Sequence, residues 1–168
     1  REVYRGAELD ADTVAVLAGL SRLYRARSLA LNYIGRCERS RSEVLRYLRR
    51  KSVDDVSAQT AVDRLVAAGA VDDTRCALMN VNAMLSSRDV GPLYIRKKLS
   101  EKGIAGSIIT QVLREKLDSE TEIRQAVSAL RKKTRGQAVE SDMLPALSRF
   151  LFSRGFSSRT VREALRAY

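Results

Sequence analysis

An apolar motif recurs three times along this chain, and the interval between its copies strongly constrains the fold. Each copy has an apolar residue four positions before a central leucine and another five positions after it. The central leucines are Leu48, Leu99 and Leu151, which are 51 and 52 residues apart, and the later residues are Val53, Ile104 and Phe156. A step of four residues keeps side chains on one face of a helix. An interval of this length accommodates three short helices, so the recurrence predicts three tandem three-helix repeats.

The fold class predicted is therefore all-α, and no segment alternates between apolar and polar residues for long enough to predict a strand. The predicted units are a helical N-terminal lead-in over residues 1–26 and three-helix repeats over residues 27–73, 74–119 and 120–168. Tandem repeats bury their apolar faces against their neighbours, and we expect an elongated, curved array. The six repeated apolar residues are interpreted as core positions that contact no ligand.

Residue types at the predicted helix ends agree with this organisation. Ser40 with Glu43, and Ser119 with Glu122, have the spacing of a capping box, in which each side chain bonds to the other residue's backbone N–H. Three apolar stripes end at a glycine, a common residue at helix C-termini, and these stops are Gly69, Gly103 and Gly155.

The sequence contains little of the chemistry that enzymes use. It has no histidine, the side chain most often used for proton transfer near neutral pH, and it has no phosphate-binding glycine loop. Paired carboxylates at residues 54–55 and 72–73 stand where helices are predicted to begin, and helix N-termini favour acidic residues. That capping role is preferred over an acid/base pair. We therefore predict a protein that is not an enzyme and that has no catalytic residues, cofactor or bound metal.

The remaining composition favours a cytoplasmic location. Cys37 and Cys76 are the only cysteines, and their spacing matches neither a zinc site nor a disulfide framework, which fits a reducing compartment. No apolar run approaches the roughly 20 residues of a membrane span, and the first residues do not resemble a signal segment. We expect no membrane partner.

Positive charge is the most unusual feature of the composition. Lys and Arg number 31 against 20 Asp and Glu, giving a net charge of +11 and a pI near 10.2. Such an excess is common among proteins that bind polyanions, although it can also serve solubility alone.

Many of the basic residues flank the three apolar motifs. Because the motifs are predicted to pack inward, their neighbours on the same helices should face outward, and stacked repeats would align them into one basic stripe. A stripe of this kind would bind phosphates; for any single residue a merely solvated face is the alternative. Base stacking on Tyr33, Tyr47 or Tyr94 is a further option, with buried packing as its alternative. The candidate binding residues are Arg46, Arg49, Arg50, Lys51, Arg96, Lys97, Lys98, Lys102, Arg149, Arg154, Arg159 and Arg162.

Specific strings in the repeats resemble the RecX family. Residues 91–99 (GPLYIRKKL) followed by residues 102–104 (KGI) are similar to the family's central motif. Similar strings are ALNYI at 30–34 leading to RSE at 41–43, GAVDDTR at 69–75, and RFL at 149–151 with RGF at 154–156. The resemblance covers residues 27–168. It departs from the family at Cys76, where an aromatic residue is usual, and in the lead-in before residue 27.

The resemblance implies a regulator of the RecA recombinase built from tandem three-helix repeats. Members of this bacterial family bind within the groove of the RecA filament on DNA and inhibit its ATPase, recombinase and coprotease activities, which are parts of DNA repair and the SOS response. They also contact single-stranded and double-stranded DNA. We expect a monomer. The alternative is a sequence-neutral DNA-binding protein that acts without RecA, since three-helix units resemble helix-turn-helix modules.

Overall fold

The structure is a computed structural model that describes residues 10–137 and 139–168. Within these residues the regular structure is entirely helical, so the predicted all-α class is confirmed. The α-helices are α1 (Ala11–Ile34), α2 (Arg41–Arg50), α3 (Asp55–Ala67), α4 (Asp73–Ser87), α5 (Pro92–Glu101), α6 (Gly106–Lys116), α7 (Ser119–Thr134), α8 (Leu144–Ser153) and α9 (Ser158–Ala167). A short 3-10 helix, Ser141–Met143, precedes α8.

The helices form three successive groups of three, α1–α3, α4–α6 and α7–α9, as the recurring motif predicts. The chain divides into two compact units with the boundary between Asp72 and Asp73. The first unit contains the first group, and the second unit contains the second and third groups together. The elongated, curved array and the exact repeat boundaries stay predictions.

The lead-in and the first repeat share one helix, where the sequence suggested two elements. Helix α1 runs without a break from Ala11 to Ile34, through the expected boundary after residue 26. The segment from Leu20 to Asn32 contains no glycine or proline and is rich in Ala, Leu and Arg, which are strong helix formers. Residues 1–9 of the expected lead-in lie outside the described residues.

Each group has its own apolar core, and the recurring motif supplies its centre. The side chains of Leu48, Leu99 and Leu151 are 0% exposed, and each lies in a different apolar cluster. Ile104 and Phe156 are also buried. The core placement is therefore confirmed for these five residues. The sixth, Val53, packs against the first cluster but is only half-buried.

The motif ends with the same hydrogen-bonded turn in all three groups. The apolar residue after the turn donates its N–H to the carbonyl oxygen of the central leucine, which satisfies a carbonyl at the end of the middle helix. These bonds are Val53 to Leu48 (3.1 Å), Ile104 to Leu99 (3.2 Å) and Phe156 to Leu151 (3.2 Å). The residue just before each donor has a positive φ: 56° at Ser52, 75° at Gly103 and 82° at Gly155. The predicted glycine stops at Gly103 and Gly155 are therefore left-handed turn positions, and a serine takes this role in the first group.

The two predicted capping boxes have different outcomes. At Ser40 the box is present, since the Glu43 N–H donates to Ser40 Oγ (3.1 Å) and the Ser40 N–H donates to Glu43 Oε2 (3.0 Å). The box at Ser119 is wrong, because the capping residue of α7 is Asp118, which accepts from the Thr121 N–H at 2.8 Å. Aspartate is at least as good a cap as serine, and it stands one position earlier.

The second and third groups meet backbone to backbone inside the second unit. The Gly91 N–H donates to the Arg154 carbonyl (2.9 Å), and the Leu93 N–H donates to the Gly155 carbonyl (3.0 Å). A Cβ at Gly91 would lie 2.3 Å from Gly155 O, and one at Gly155 would lie 2.2 Å from Tyr94 N. Both glycines are therefore required for this approach, which holds the start of α5 against the end of α8.

Across the part of the chain that the structure covers, no helix has both the length and the apolar character that crossing a bilayer requires.

Candidate nucleic-acid interface

The four candidate residues of the first unit lie at the C-terminal end of α2. Arg46, Arg49, Arg50 and Lys51 are all exposed, as predicted for residues beside an inward-facing motif. Arg49 is engaged locally, since its Nε lies 2.8 Å from Asp55 Oδ1 at the start of α3. Cations in the last turn of a helix also interact favourably with the helix dipole. Arg49 and Arg50 lie in that last turn, so they stabilise the helix end whether or not they bind a ligand.

Two tyrosines beside this cluster form a stacked ladder with two cations. The rings of Tyr33 and Tyr47 are 4.1 Å apart between centroids and nearly parallel, at 5°. The Arg39 guanidinium lies 4.6 Å from the Tyr33 centroid, and Lys51 Nζ lies 5.8 Å from that of Tyr47. Because each ring has one face on its partner and the other under a cation, a nucleobase could stack here only by displacing Arg39 or Lys51. The ladder therefore favours the packing role of these tyrosines over base stacking.

The candidates on α5 divide between different neighbours. Arg96 Nη1 donates to Thr110 Oγ1 on α6 (3.2 Å), whereas Lys98 Nζ pairs with Glu101 Oε2 (2.8 Å). The hydrogen bond to Glu101 raises the pKa of Lys98 above its ordinary value, and it lowers the pKa of the Glu101 carboxyl. Lys97 is exposed between them. Positions 96 and 98 are about 200° apart around a helix, so the second unit does not place all these cations on one stripe.

The candidates of the third group are also held in different ways. Arg149 is exposed, and its Nε donates to the Pro145 carbonyl at 3.4 Å. Arg159 Nε pairs with Glu163 Oε1 at 2.9 Å, and this hydrogen bond raises the arginine pKa. Arg162 is exposed on the same helix. Arg154 is half-buried, with its guanidinium 5.2 Å from the Phe150 ring centroid.

Two clefts in the second unit bring some of these candidates together around Arg88. One cleft, of about 400 Å³, is lined by residues that include Tyr94, Lys98 and Lys102. The other, of about 390 Å³, lies where the second and third groups meet, and we call it the junction cleft. Arg88 lines both clefts. The junction cleft is lined by Ser87, Arg88, Asp89, Ala129, Lys132, Lys133, Phe150 and Arg154.

Three cations of the junction cleft, Arg88, Lys132 and Lys133, are missing from the candidates predicted from the sequence. Lys132 and Lys133 lie in the last turn of α7, where basic residues are common for reasons of helix stability alone. Arg88 follows α4 and is 44 residues away from Lys132 along the chain. The adjacent Lys132 and Lys133 are apparent in the sequence, but no local pattern indicates that Arg88 lies across the cleft from them.

The acidic residues near helix starts act as caps. Asp54 is the N-cap of α3, and its carboxylate accepts from the Ser57 N–H at 2.8 Å. This backbone hydrogen bond lowers the pKa of Asp54 below its ordinary value of 3.8. Asp55 pairs with Arg49, as described above. The geometry thus supports capping by Asp54 and ion pairing by Asp55 over an acid/base role for this pair.

The two cysteines are in different environments. Cys37 is exposed after the end of α1, and Cys76 is fully buried in the core of the second group. The sulfur of Cys76 accepts a weak hydrogen bond from Asn80 Nδ2 at 3.6 Å. Cys76, which stands where an aromatic residue is usual, is therefore a small core residue in this chain.

These features define an all-α protein of tandem three-helix groups, with exposed cations on the middle helix of each group and on α9. Two family models match the chain, "RecX, first three-helix domain" over residues 26–65 and "RecX, second three-helix domain" over residues 72–113. The chain is also 31% identical to the regulatory protein RecX of Halorhodospira halophila, over 84% of this chain and 86% of that protein. The chain belongs to the RecX family, and the resemblance noted in the sequence is confirmed.

Other relatives extend the comparison. The regulatory protein RecX of Oceanobacillus iheyensis is 29% identical over 94% of this chain, yet the chain covers only 58% of that protein. The chain thus spans about three fifths of the length of some curated relatives. The crystal structure of RecX from Lactobacillus salivarius matches with a TM-score of 0.81 at 21% identity, over 88% of this chain and 97% of that one. A second crystal structure of regulatory protein RecX matches with a TM-score of 0.84 at 24% identity, over 98% and 81%. These two structures support the fold.

Proposed function

We propose that this chain is a non-enzymatic regulator that binds the RecA–DNA filament and inhibits the recombinase, ATPase and coprotease activities of RecA. Membership of the RecX family is the observation that carries the proposal, because its curated relatives are named regulatory proteins. The activity would belong to DNA recombination, repair and the SOS response in the bacterial cytoplasm, with the chain acting as a monomer.

The net positive charge would attract the chain to the filament. A nucleoprotein filament presents DNA phosphates and acidic protein surface, and the net charge of +11 would speed encounter with it by electrostatic steering. The exposed cations of α2, α5, α8 and α9 would then contact the groove walls. Tandem groups allow contacts with more than one RecA protomer, and bridging protomers would hinder their conformational cycling or promote disassembly.

The test is RecA ATPase activity on single-stranded DNA with wild-type chain and with the double variant Lys97→Glu/Lys98→Glu. We expect wild type to inhibit and the variant to lose most inhibition, because both cations become repulsive. The matched control is Arg114→Glu/Arg124→Glu. Its residues are exposed, and Arg124 pairs within its own helix, with Glu120 at 3.4 Å, as Lys98 does with Glu101 at 2.8 Å. Full inhibition by a folded Lys97/Lys98 variant would remove those residues from the interface, and no inhibition by wild type would contradict the proposed function.

The second candidate is a sequence-neutral DNA-binding protein that acts without RecA, and the cationic junction cleft favours it. A standalone binder should shift naked duplex DNA at moderate salt and lose affinity steeply as salt rises. A filament regulator should bind RecA–DNA filaments far better than DNA alone. Comparing the two affinities in one buffer separates the candidates.

A further inference from the structure

We infer that the junction cleft binds the phosphodiester groups of a DNA strand. This inference deepens the proposed function and rests on its DNA-contacting part, since it assigns that contact to one place on the second unit. The carrying observation is a set of four cations, Arg88, Lys132, Lys133 and Arg154, that line the cleft with a single carboxylate, Asp89.

The single carboxylate leaves most of this charge uncompensated. Asp89 Oδ2 pairs with Lys132 Nζ at 2.6 Å, and the Asp89 side chain is only 13% exposed. The carboxylate is therefore directed inward and neutralises one cation. Like charges gathered in a concave site focus the potential and attract an anion.

The other three cations are held by neutral groups. Lys133 Nζ lies 5.7 Å and the Arg154 guanidinium 5.2 Å from the centroid of the Phe150 ring. Arg88 Nη1 donates to the Tyr94 hydroxyl at 3.1 Å. These contacts restrict the side chains without neutralising them, which lowers the entropy cost of holding a bound anion.

The backbone around the cleft is fixed as well. The hydrogen bonds from Gly91 and Leu93 hold the end of α8, and with it Arg154, against the start of α5. Gln125 Nε2 on α7 donates to the Leu85 carbonyl near the end of α4 at 3.2 Å. The four cations thus lie on α7 or directly after α4 and α8, and these hydrogen bonds link each of those helices to a neighbouring one, so the cleft is preformed in the second unit.

The charge balance favours a DNA strand over an isolated protein carboxylate. One carboxylate would balance one of the three remaining cations, whereas a single strand in a duplex carries a negative charge about every 3.4 Å of helix axis. Arg88 also lines the neighbouring cleft, which contains Lys98, paired with Glu101, and Lys102, so a strand that passes Arg88 would meet further cations. Contacts with the phosphates of the DNA backbone do not read the bases, so they predict binding without sequence preference.

The experiment measures the affinity of a labelled single-stranded oligonucleotide by fluorescence anisotropy over a range of salt concentrations, with the full chain alone. In Arg88→Gln/Lys133→Gln, we expect weaker binding and a decrease of about 1.4 in the slope of log affinity against log salt, or about 0.7 for each lost phosphate contact. Lys133→Arg keeps the charge and should retain the wild-type slope. The control Arg114→Gln/Arg124→Gln removes two exposed charges that line neither cleft and should change the slope much less.

Circular dichroism confirms first that each variant is folded, and the single variant Lys133→Gln replaces the double variant if that one is not. An unchanged slope in the folded cleft variant overturns the inference, as does an equal decrease in the control. Loss of RecA–filament binding with full affinity for naked DNA would identify acidic protein surface as the occupant and would also overturn it. Because DNA alone is the ligand, failure of wild type to inhibit RecA would contradict the proposed function without affecting this result.

Discussion

A methyl group added at Gly155 is predicted to disrupt the contact between the second and third groups. Gly155 has φ 82°, and a Cβ there would lie 2.2 Å from Tyr94 N and 2.7 Å from Tyr94 Cβ. Neither atom is the far end of a flexible side chain, so the two segments must move apart. The hydrogen bonds Gly91 N–H to Arg154 O and Leu93 N–H to Gly155 O cross this contact and would lengthen.

The expected loss has two parts. An alanine in the left-handed region costs roughly 1–2 kcal/mol. Two weakened backbone hydrogen bonds cost about 0.5–1.5 kcal/mol each, or about 1–3 kcal/mol together. Gly155→Ala should therefore lower the free energy of unfolding by about 2–5 kcal/mol.

A matched control separates the cost of the weakened hydrogen bonds from the conformational cost. Gly136, in the same unit, has φ 76°, and a Cβ there would meet no described atom within 4 Å. Gly136→Ala should cost only the conformational part, roughly 1–2 kcal/mol. Urea unfolding followed by circular dichroism measures both variants, and equal losses would refute the argument that the close approach at Gly155 holds the groups together.

Three further perturbations test local features. Ser52→Gly should raise the free energy of unfolding by about 0.5–1 kcal/mol, because it removes the left-handed strain at φ 56°; an unchanged or lower urea midpoint would count against this. Leu99→Ala should cost roughly 2–5 kcal/mol through lost burial and a cavity, and an unaltered thermal melt would remove Leu99 from the core. The pKa of Asp54 is lowered by the Ser57 N–H, so its contribution to stability is present above the ordinary value of 3.8 and is lost as pH falls through the lowered pKa. Asp54→Asn caps without titrating, and its unfolding free energy should fall less than that of wild type between about pH 5 and pH 2; equal falls would contradict the assignment.

Local signals predicted much of the fold. The central leucines, the glycine stops at Gly103 and Gly155 and the capping box at Ser40 each depend on residues within a few positions, and all are present in the structure. The box at Ser119 failed because Asp118 caps the helix instead, while Glu122 accepts a hydrogen bond from Thr160 Oγ1 at 2.6 Å. That partner lies 38 residues away, beyond the reach of a spacing rule.

The candidate site was predicted less completely. Exposure of cations beside an inward-facing motif follows from helix periodicity, and it holds for Arg46 and Lys97. Which neighbour each cation contacts does not follow from periodicity. Arg96 reaches α6 and Lys98 bonds to Glu101, so one motif supplies cations to different surroundings.

The sequence by itself determined the helical repeats, their apolar centres and the positive charge, because these are properties of short stretches of chain. Only the tertiary structure decided that Arg88, Lys132 and Arg154 share a cleft. That meeting depends on the close backbone approach of Gly91 and Gly155, which are 64 positions apart. Packing between helix groups places such residues together, and no local pattern encodes the distance between them.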